Sequence, residues 1–127
     1  MNYRILIVDD SKLARMAVVK ALKALRPEWT RVEAASAEEA LGALQNSAPD
    51  IALVDFNMPD RDGLELAADL RRARPEMPVG VISANHQQSV VNRTQAVGAA
   101  FLPKPVSEEA LGQFLTIAEQ RLAKRDK

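Results

Sequence analysis

The sequence contains no cysteine, a single histidine and only five glycines. Without cysteine, the chain has no disulfide scaffold, no zinc–thiolate site and no thiol catalysis. A single imidazole excludes a histidine metal cluster, and we interpret His86 as a surface residue. The glycines are dispersed along the chain, so the sequence has no glycine-rich loop of the kind that holds the phosphates of a nucleotide.

An excess of charge of either sign is also missing, because 17 basic residues balance 17 acidic ones. Proteins that bind nucleic acid or anionic membranes by electrostatics carry excess positive charge, so we predict neither partner. No apolar run approaches the roughly 20 residues of a membrane span, and the apolar run Ile5–Val8 is too short for a signal peptide. The 127 residues therefore predict a cytoplasmic protein with one domain over residues 1–127.

The candidate strands show two patterns of apolar residues. Short apolar runs that end abruptly at polar residues or proline are typical of strands buried on both faces. Four runs show this pattern: Ile5–Val8, Ile51–Val54, Val79–Ile82 and Ala99–Leu102. The segment Trp29–Ala34 instead alternates apolar and polar residues, which favours a strand at the edge of a sheet.

Five segments with helical spacing separate and follow these strands. Their signals are a stripe of apolar residues in the first, the capping box Ser36–Glu39 in the second, and Pro75 after the third; Gly98 closes the fourth, and Ser107 caps the fifth. The predicted helices are a first helix with the core stripe Leu13, Met16, Ala17, Leu22 and Leu25, a second from Ser36 through Leu44, a third over Gly63–Arg74, a fourth over His86–Val97 and a fifth from Ser107 through Leu122.

The alternation of strands and helices predicts an α/β fold in which right-handed crossovers cover both faces of a parallel sheet. We expect a flavodoxin-like, doubly wound, five-stranded parallel sheet with strand order 2-1-3-4-5 and five helices. This order places the alternating strand Trp29–Ala34 at an edge. It also places the functional crevice outside the carboxyl ends of the first and third strands.

Polar residues follow the strands at this crevice. Asp9 and Asp10 follow the first strand, Asp55 the third, Ser83 the fourth and Lys104 the fifth. Crowded carboxylates repel one another, and a hard divalent cation bound by oxygen ligands, Mg²⁺ or alternatively Mn²⁺, relieves that repulsion. A carboxylate nucleophile beside such a cation, a hydroxyl and a lysine is an arrangement that accepts a phosphoryl group.

Each of these residues alone has an ordinary structural explanation. An Asp pair after a strand often caps the next helix, and the segment 57–62 has the composition of a polar turn. Ser83 alone fits a local cap, Lys104 a solvated loop residue and Phe101 an edge-strand core residue. We favour the functional interpretation because all of these positions fall at the same edge of one predicted sheet.

Five pieces in this order resemble the receiver domain of bacterial two-component response regulators: Asp9-Asp10, Val54-Asp55-Phe56-Asn57-Met58-Pro59, Asp62-Gly63, Ser83-Ala84 and Lys104-Pro105. The similarity extends from Ile5 to about Leu122. It implies that Asp55 is phosphorylated and also faces the metal. It further implies that Asp10 binds Mg²⁺ directly, Asp9 through water and Asn57 through its main-chain carbonyl, with Ser83 and Lys104 on phosphoryl oxygens.

The same resemblance implies a switch. Phe101 occupies the position of the family's aromatic switch residue, where tyrosine is frequent, and Ser83 replaces the commoner threonine. We expect Phe101 to populate its inward rotamer even without phosphate, and we expect a cis Lys104–Pro105 peptide. The predicted output surface for a downstream protein is the face of the fourth helix, the fifth strand and the fifth helix.

The resemblance also implies partners: a sensor histidine kinase or a phosphotransfer protein supplies the phosphoryl group. The protein is then no enzyme in the ordinary sense, although it catalyses its own phosphorylation and dephosphorylation. A monomer and a phosphorylation-dependent dimer both remain open. So do a stand-alone receiver and a receiver excised from a longer chain.

Three other functions compete with this interpretation. A haloacid-dehalogenase-like phosphohydrolase needs a second Asp two residues after the nucleophile, where this chain has Asn57. A flavodoxin-like electron carrier needs a phosphate-binding loop after the first strand, where Asp9 and Asp10 would repel a phosphate. A degenerate receiver that never takes phosphate is disfavoured by the intact set of site residues.

Overall fold

A computed structural model describes residues 2–126 of the chain. The first and last residues of the expected domain, Met1 and Lys127, lie outside the described residues. Strands and helices alternate in the order β1 Arg4–Val8, α1 Lys12–Leu25, β2 Thr30–Ala34, α2 Ala37–Asn46, β3 Ile51–Asp55, α3 Gly63–Ala73, β4 Val79–Ser83, α4 Gln88–Ala96, β5 Ala100–Pro103 and α5 Glu108–Arg125. None of the helices over this range is long and apolar enough to cross a membrane.

The five strands form one parallel sheet in the order β2-β1-β3-β4-β5, which confirms the predicted topology. All residues of β3 and β4 are buried, as their uninterrupted apolar runs predict. The same prediction is wrong for the run Ala99–Leu102, because β5 is an edge strand in which Ala100 is exposed and Phe101 half-buried. The strand β2, predicted to lie at an edge, does so, and it carries exposed and half-buried residues.

The core has two layers because successive residues of a strand point to opposite faces of the sheet. Leu6 and Val8 of β1 pack in one layer with α2 and α3. Ile5 and Ile7 pack in the other with α1 and α5. Helices therefore cover both faces of the sheet, and the buried polar residues Asp9, Asp55 and Ser83 lie at its carboxyl edge.

The predicted core stripe of α1 is wrong at its amino-terminal end. Leu13 is 78% exposed, Met16 is 55% exposed and Ala17 is exposed as well, whereas Leu22 is buried. The apolar residues of α1 that pack on the core begin at Val18. The reason is that α1 starts at the carboxyl edge of the sheet, so its first turns have little sheet surface beneath them.

The helix ends follow the predicted capping residues. The Glu39 carboxylate accepts from the Ala35 amide at 3.3 Å, one residue before the amide that a reciprocal capping box requires. The hydroxyl half of the prediction is confirmed, because the Oγ atom of Ser36 accepts from the Glu39 amide at 3.1 Å. The Ser107 hydroxyl caps α5 by accepting from the Ala110 amide. The helix α4 begins two residues later than predicted, at Gln88, because the Asn85 side chain holds the Gln87 amide in a preceding turn.

An aromatic cluster lies at the amino edge of the sheet, before β1 and β2. The side chain of Trp29 is 2% exposed, and its ring meets that of Tyr3 edge to face at 5.5 Å between centroids. The guanidinium of Arg26, at the end of α1, lies 5.7 Å from the centroid of the Trp29 ring. Burial raises the pKa of Tyr3 above its ordinary value.

Glycine is required at one close approach between the third strand and the helix that follows it. A Cβ atom on Gly63 would lie 2.2 Å from the carbonyl oxygen of Asp55, and backbone atoms cannot yield as a side chain can. Gly63 also donates its amide to the carbonyl oxygen of Phe56 at 2.9 Å. The first turn of α3 therefore lies directly against the end of β3.

We expect Gly63→Ala to lower the free energy of unfolding by about 2 kcal/mol or more, because overpacking against backbone typically costs roughly 1–3 kcal/mol. The matched control is Gly42→Ala in α2, where a Cβ meets no atom within 4 Å. Helix propensity should make that variant more stable by about 1 kcal/mol. Urea denaturation measures both changes, and equal changes in the two variants would contradict this account of Gly63.

Candidate functional site

Three carboxylates meet at the carboxyl edge of the sheet. Asp9 and Asp10 follow β1, and Asp55 ends the neighbouring β3. One carboxylate oxygen from each lies within 4.8 Å of the other two. Asp9 and Asp55 are buried and Asp10 is exposed. The convergence expected from the predicted strand order is therefore confirmed.

Lys104 reaches the same point from beyond β5. Its Nζ atom lies 2.7 Å from Oδ1 of Asp55 and 3.8 Å from Oδ2 of Asp9. Its amide donates to the carbonyl oxygen of Ser83 at 2.9 Å, which ties the loop after β5 to the end of β4. The peptide between Lys104 and Pro105 is cis, as predicted.

The charges at this edge do not balance. Burial raises the pKa of Asp55 above its ordinary value, and repulsion from Asp9 and Asp10 adds to this, although the hydrogen bond from Lys104 opposes it. Burial disfavours the Lys104 ammonium, but its hydrogen bond with Asp55 and the negative charges of all three carboxylates outweigh burial and raise the pKa of Lys104. One ammonium therefore faces three carboxylates, and it stays protonated at neutral pH.

This set of donors fits a hard divalent cation. Carboxylate oxygens are the ligands that Mg²⁺ and Mn²⁺ prefer, and a cation at this point would relieve the repulsion that disfavours ionised Asp55. Asn57 lies exposed in the loop at the same edge, two residues after Asp55. The role of its main-chain carbonyl as a ligand stays a prediction.

Ser83 ends β4 and is fully buried. Its Oγ atom accepts from the Asn85 amide at 2.9 Å and donates to the Asn85 carbonyl oxygen at 3.2 Å. The hydroxyl thus makes the local turn contact that is the ordinary structural explanation for a serine here. Its predicted contact with a phosphoryl group requires it to release the carbonyl of Asn85.

Phe101 lies half-buried on β5, opposite Val81 of β4. Its ring meets that of His86 edge to face, with 5.9 Å between the centroids. His86 is exposed, as the sequence predicts, but no sequence pattern indicates its contact with Phe101. The loop before α4 is therefore in contact with the predicted switch residue.

The sequence pattern does not identify Arg15 as a site residue, because its position on α1 fits a solvated flank. Its side chain is only 14% exposed. The Nη1 atom donates to the carbonyl oxygen of Asp9 at 2.5 Å, and Nε donates to the Glu33 carboxylate at 3.1 Å. Arg15 thereby joins α1 and β2 to the main chain that carries Asp9 and Asp10.

A cavity of about 440 Å³ opens beside the carboxylates, between α1 and the start of α5. Asp9 and Lys104 contribute its charged side chains. The remaining walls are mostly apolar and include Ala14, Ala17, Val18, Val106 and Leu111. A reactant therefore has space next to Lys104 on the side of α1.

Comparisons with known proteins agree with the geometry. Residues 5–116 match the family model described as the response regulator receiver domain. The chain is 36% identical over 114 residues to the sensor protein TorS of Escherichia coli, an alignment that covers 88% of this chain and 12% of that protein. It spans about half the length of the other curated relatives first found.

Two solved structures share the fold. A CheY-like receiver domain protein from Methanospirillum hungatei is 25% identical, with a TM-score of 0.86 and coverage of 98% of this chain and 99% of that one. The complex of CheX and CheY with BeF3 and Mg²⁺ from Borrelia burgdorferi contains a chain that is 26% identical, with a TM-score of 0.80 and coverage of 89% and 86%.

The electrostatics of Asp55 predict a stability that depends on pH. Because its pKa is raised in the folded state, Asp55 favours folding when protonated, and this contribution is lost as pH rises through the raised pKa. We expect Asp55→Asn to raise the free energy of unfolding of the metal-free protein at pH 7 by about 1 kcal/mol, as is common when a charged functional residue is removed. The gain should vanish below the ordinary aspartate pKa of 3.8.

Urea denaturation in chelator, repeated across this pH range, measures the effect. The control is Asp50→Asn at the amino edge, where the carboxylate is bound by the Arg4 amide and by Arg125. That variant should lose stability at pH 7, because a paired carboxylate is removed. An Asp55→Asn protein less stable than the wild type at pH 7 would show that the carboxylates do not repel as described.

Proposed function

The chain belongs to the receiver-domain family of two-component response regulators, and on that premise we propose that Asp55 accepts a phosphoryl group in a Mg²⁺-dependent reaction. The observation that carries the proposal is the position of Asp55, buried at the end of β3, with Lys104 at 2.7 Å and two further carboxylates beside it. Receiver domains interact with histidine kinases or phosphotransfer proteins, and we propose such a protein as the donor.

The chemistry assigned to Asp55 is nucleophilic attack on phosphorus. An electron pair of a carboxylate oxygen forms the new O–P bond while the P–N bond to the donor's imidazole breaks. The electrons of that bond leave with the imidazole, which takes up a proton. The apolar cavity beside Lys104 supports this proposal, because it leaves room for a donor at the site.

Receiver domains bind Mg²⁺ through an acidic cluster, and Asp9, Asp10 and Asp55 form such a cluster. Bound Mg²⁺ neutralises the negative charge on the phosphoryl oxygens during transfer. We propose that Asp10 and Asp55 hold it directly, Asp9 through water and Asn57 through its main-chain carbonyl. The contact from Arg15 fixes the main chain of Asp9 and so keeps this acidic pair in place.

In the proposed phosphorylated state, two side chains contact oxygens of the phosphoryl group. Lys104 exchanges its ion pair with Asp55 for one with a phosphoryl oxygen, since the ammonium already lies at the reacting carboxylate. The Ser83 hydroxyl gives up the Asn85 carbonyl and donates to a second phosphoryl oxygen. Receiver domains are not enzymes in the usual sense; in this proposal the same side chains support self-catalysed phosphorylation and dephosphorylation.

The competing functions are not favoured. Asn57 lacks the acidic proton that a haloacid-dehalogenase-like hydrolase gives to its leaving group. A flavodoxin-like carrier would have to place its phosphate against Asp9 and Asp10.

The output face in this proposal consists of α4, β5 and α5, and it docks a downstream protein. Two observations support it. Among the nine residues of α4, only Val90 and Thr94 are buried, so this helix is weakly held and suited to move. On α5, Ile117 is 58% exposed. We further propose that residues 1–127 form a single domain and that the protein is cytoplasmic. In this proposal it makes no direct contact with nucleic acid, and it is a monomer or a phosphorylation-dependent dimer.

Intact mass spectrometry after incubation with a small phosphodonor and Mg²⁺ tests the acceptor. We expect the wild type to gain one phosphoryl group and Asp55→Asn to gain none. Asp10→Asn should take up phosphate about 10–100-fold more slowly at limiting Mg²⁺, the loss seen when a metal site is weakened, and recover partly at high Mg²⁺.

The control is Asp69→Asn on α3, which lies outside the acidic cluster and pairs with Arg61 and Arg72. It should label as the wild type does. Labelling of Asp55→Asn at the wild-type level would remove Asp55 as the acceptor, whereas turnover of the donor without a labelled protein would indicate a hydrolase.

NMR spectra with and without beryllofluoride and Mg²⁺ test the switch. We expect shifts at Ser83, His86 and Phe101 and along α4, because movement of the Ser83 hydroxyl opens space for Phe101 to turn inward. The two arrangements need differ by only a few kcal/mol for phosphate to exchange their populations. Shifts confined to α1 and α2 would show that the output face lies elsewhere.

A further inference from the structure

We propose that Asp60 is a positioning residue for the metal site, because its carboxylate clasps the first turn of α2 and so fixes the loop that carries Asn57. The loop is residues 56–62, between β3 and α3. The inference rests on the proposed function in naming Mg²⁺ as the group that this loop helps to bind. The clasp itself is a contact between two segments that are far apart in the sequence.

Each carboxylate oxygen of Asp60 accepts one amide of α2. The Ala37 amide donates to Oδ1 at 3.2 Å and the Glu38 amide to Oδ2 at 3.3 Å. The next amide, that of Glu39, is taken by the Ser36 hydroxyl. The first-turn amides have no partner within a helix, and the helix dipole favours a negative charge there. Two caps therefore share the start of α2, and one of them comes from the loop.

The charge of Asp60 suits this contact. Partial desolvation disfavours its ionised form, but the amides of Ala37 and Glu38, with those of Asp60 and Arg61, outweigh it and hold the pKa of Asp60 below its ordinary value. The carboxylate is therefore ionised at neutral pH, and both of its oxygens are available as acceptors.

The ends of the loop are held without Asp60. At the start, the Phe56 amide donates to the Ile82 carbonyl oxygen at 2.8 Å. At the end, Asp62 accepts from the Leu64 amide at 2.6 Å and caps α3. Between them, Asn57 and Pro59 are exposed. The middle of the loop, where the predicted carbonyl ligand lies, is held by the half-buried Met58 and by the clasp. Arg61 pairs with Asp69 of α3 at 2.6 Å, so it ties the end of the loop to α3, whereas Asp60 ties the loop to α2.

The junction between β2 and α2 contacts both sides of the acidic site through main-chain atoms of Ala34, Ala37 and Glu38. The Ser36 hydroxyl makes none of these contacts, because it accepts from the Glu39 amide. The Asp9 amide donates to the Ala34 carbonyl oxygen at 3.1 Å, so the main chain of Asp9 rests on this junction. Asp60 attaches the opposite side of the site to the same junction, through Ala37 and Glu38. Releasing the clasp should therefore leave Asp9 in place while Asn57 becomes free to move relative to it.

Mg²⁺ affinity, measured by isothermal titration calorimetry on the full chain, tests the proposal. We expect Asp60→Ala to weaken Mg²⁺ binding by about fivefold or more, at the low end of coupling between distinct sites. Asp60→Asn keeps one acceptor oxygen and should fall between that variant and the wild type. Asp60→Asn is also the variant on which the proposal is tested if Asp60→Ala folds poorly.

The matched control is Ser36→Ala, which removes the other cap from the same turn of α2 without touching the loop. It should lose stability but bind Mg²⁺ as the wild type does. Equal weakening by Ser36→Ala and Asp60→Ala would overturn the proposal, since the effect would then come from the stability of α2. Wild-type affinity in Asp60→Ala would overturn it as well.

Amide hydrogen exchange without metal separates this proposal from the proposed function. In Asp60→Ala the amides of Asn57, Met58 and Arg61 should exchange at least about fivefold faster than in Ser36→Ala. If the wild type bound no Mg²⁺, the proposed function would fail, and a faster-exchanging loop would still show that Asp60 orders it. Unchanged exchange at these amides would show that the clasp positions nothing.

Discussion

The ammonium group of Lys104 stands between two buried carboxylates, those of Asp55 and Asp9, and the candidate site depends on this contact. The topology leaves no alternative, because β1 and β3 are neighbours and deliver their terminal carboxylates to the same point. The single positive charge of Lys104 reduces the repulsion among the three carboxylates, but it does not neutralise all three. The excess negative charge that strains the folded protein is the same property that attracts a cation, so stability and function oppose each other at this edge.

The parts of the fold that depend on local pattern were predictable from the sequence. Uninterrupted apolar runs identified β1, β3 and β4 as strands buried on both faces, and alternation identified β2 as an edge strand. The same run did not distinguish β5, which is an edge strand with one buried residue. Once the strand order follows, the residues after each strand must share an edge, which is why Asp55 and Lys104 were expected to meet and do. Caps such as Ser36 were predictable because the hydroxyl and its partner amide lie within one turn.

Contacts between distant segments could not be predicted in this way. A periodic stripe identifies the apolar face of a helix but not how much of its length rests on the sheet, so Leu13 and Met16 were misplaced. The pairing of Arg15 with Glu33 and the ring contact of His86 with Phe101 each join residues from different elements. Arg15, Glu33 and His86 are of types common on solvated surfaces, and only the folded arrangement gives them these partners.

The cluster around Trp29 has a practical consequence for spectroscopy. This single indole is buried against Tyr3 at the amino edge of the sheet, while the acidic residues lie at the carboxyl edge. The residue that follows Asp55 is Phe56, so no indole is adjacent to the proposed acceptor. The fluorescence of Trp29 therefore reports whether the whole domain is folded, and we expect it to change little when the acidic site is occupied. Fluorescence is therefore suited to measuring unfolding. Occupancy of the acidic site has to be followed by calorimetry, mass spectrometry or NMR.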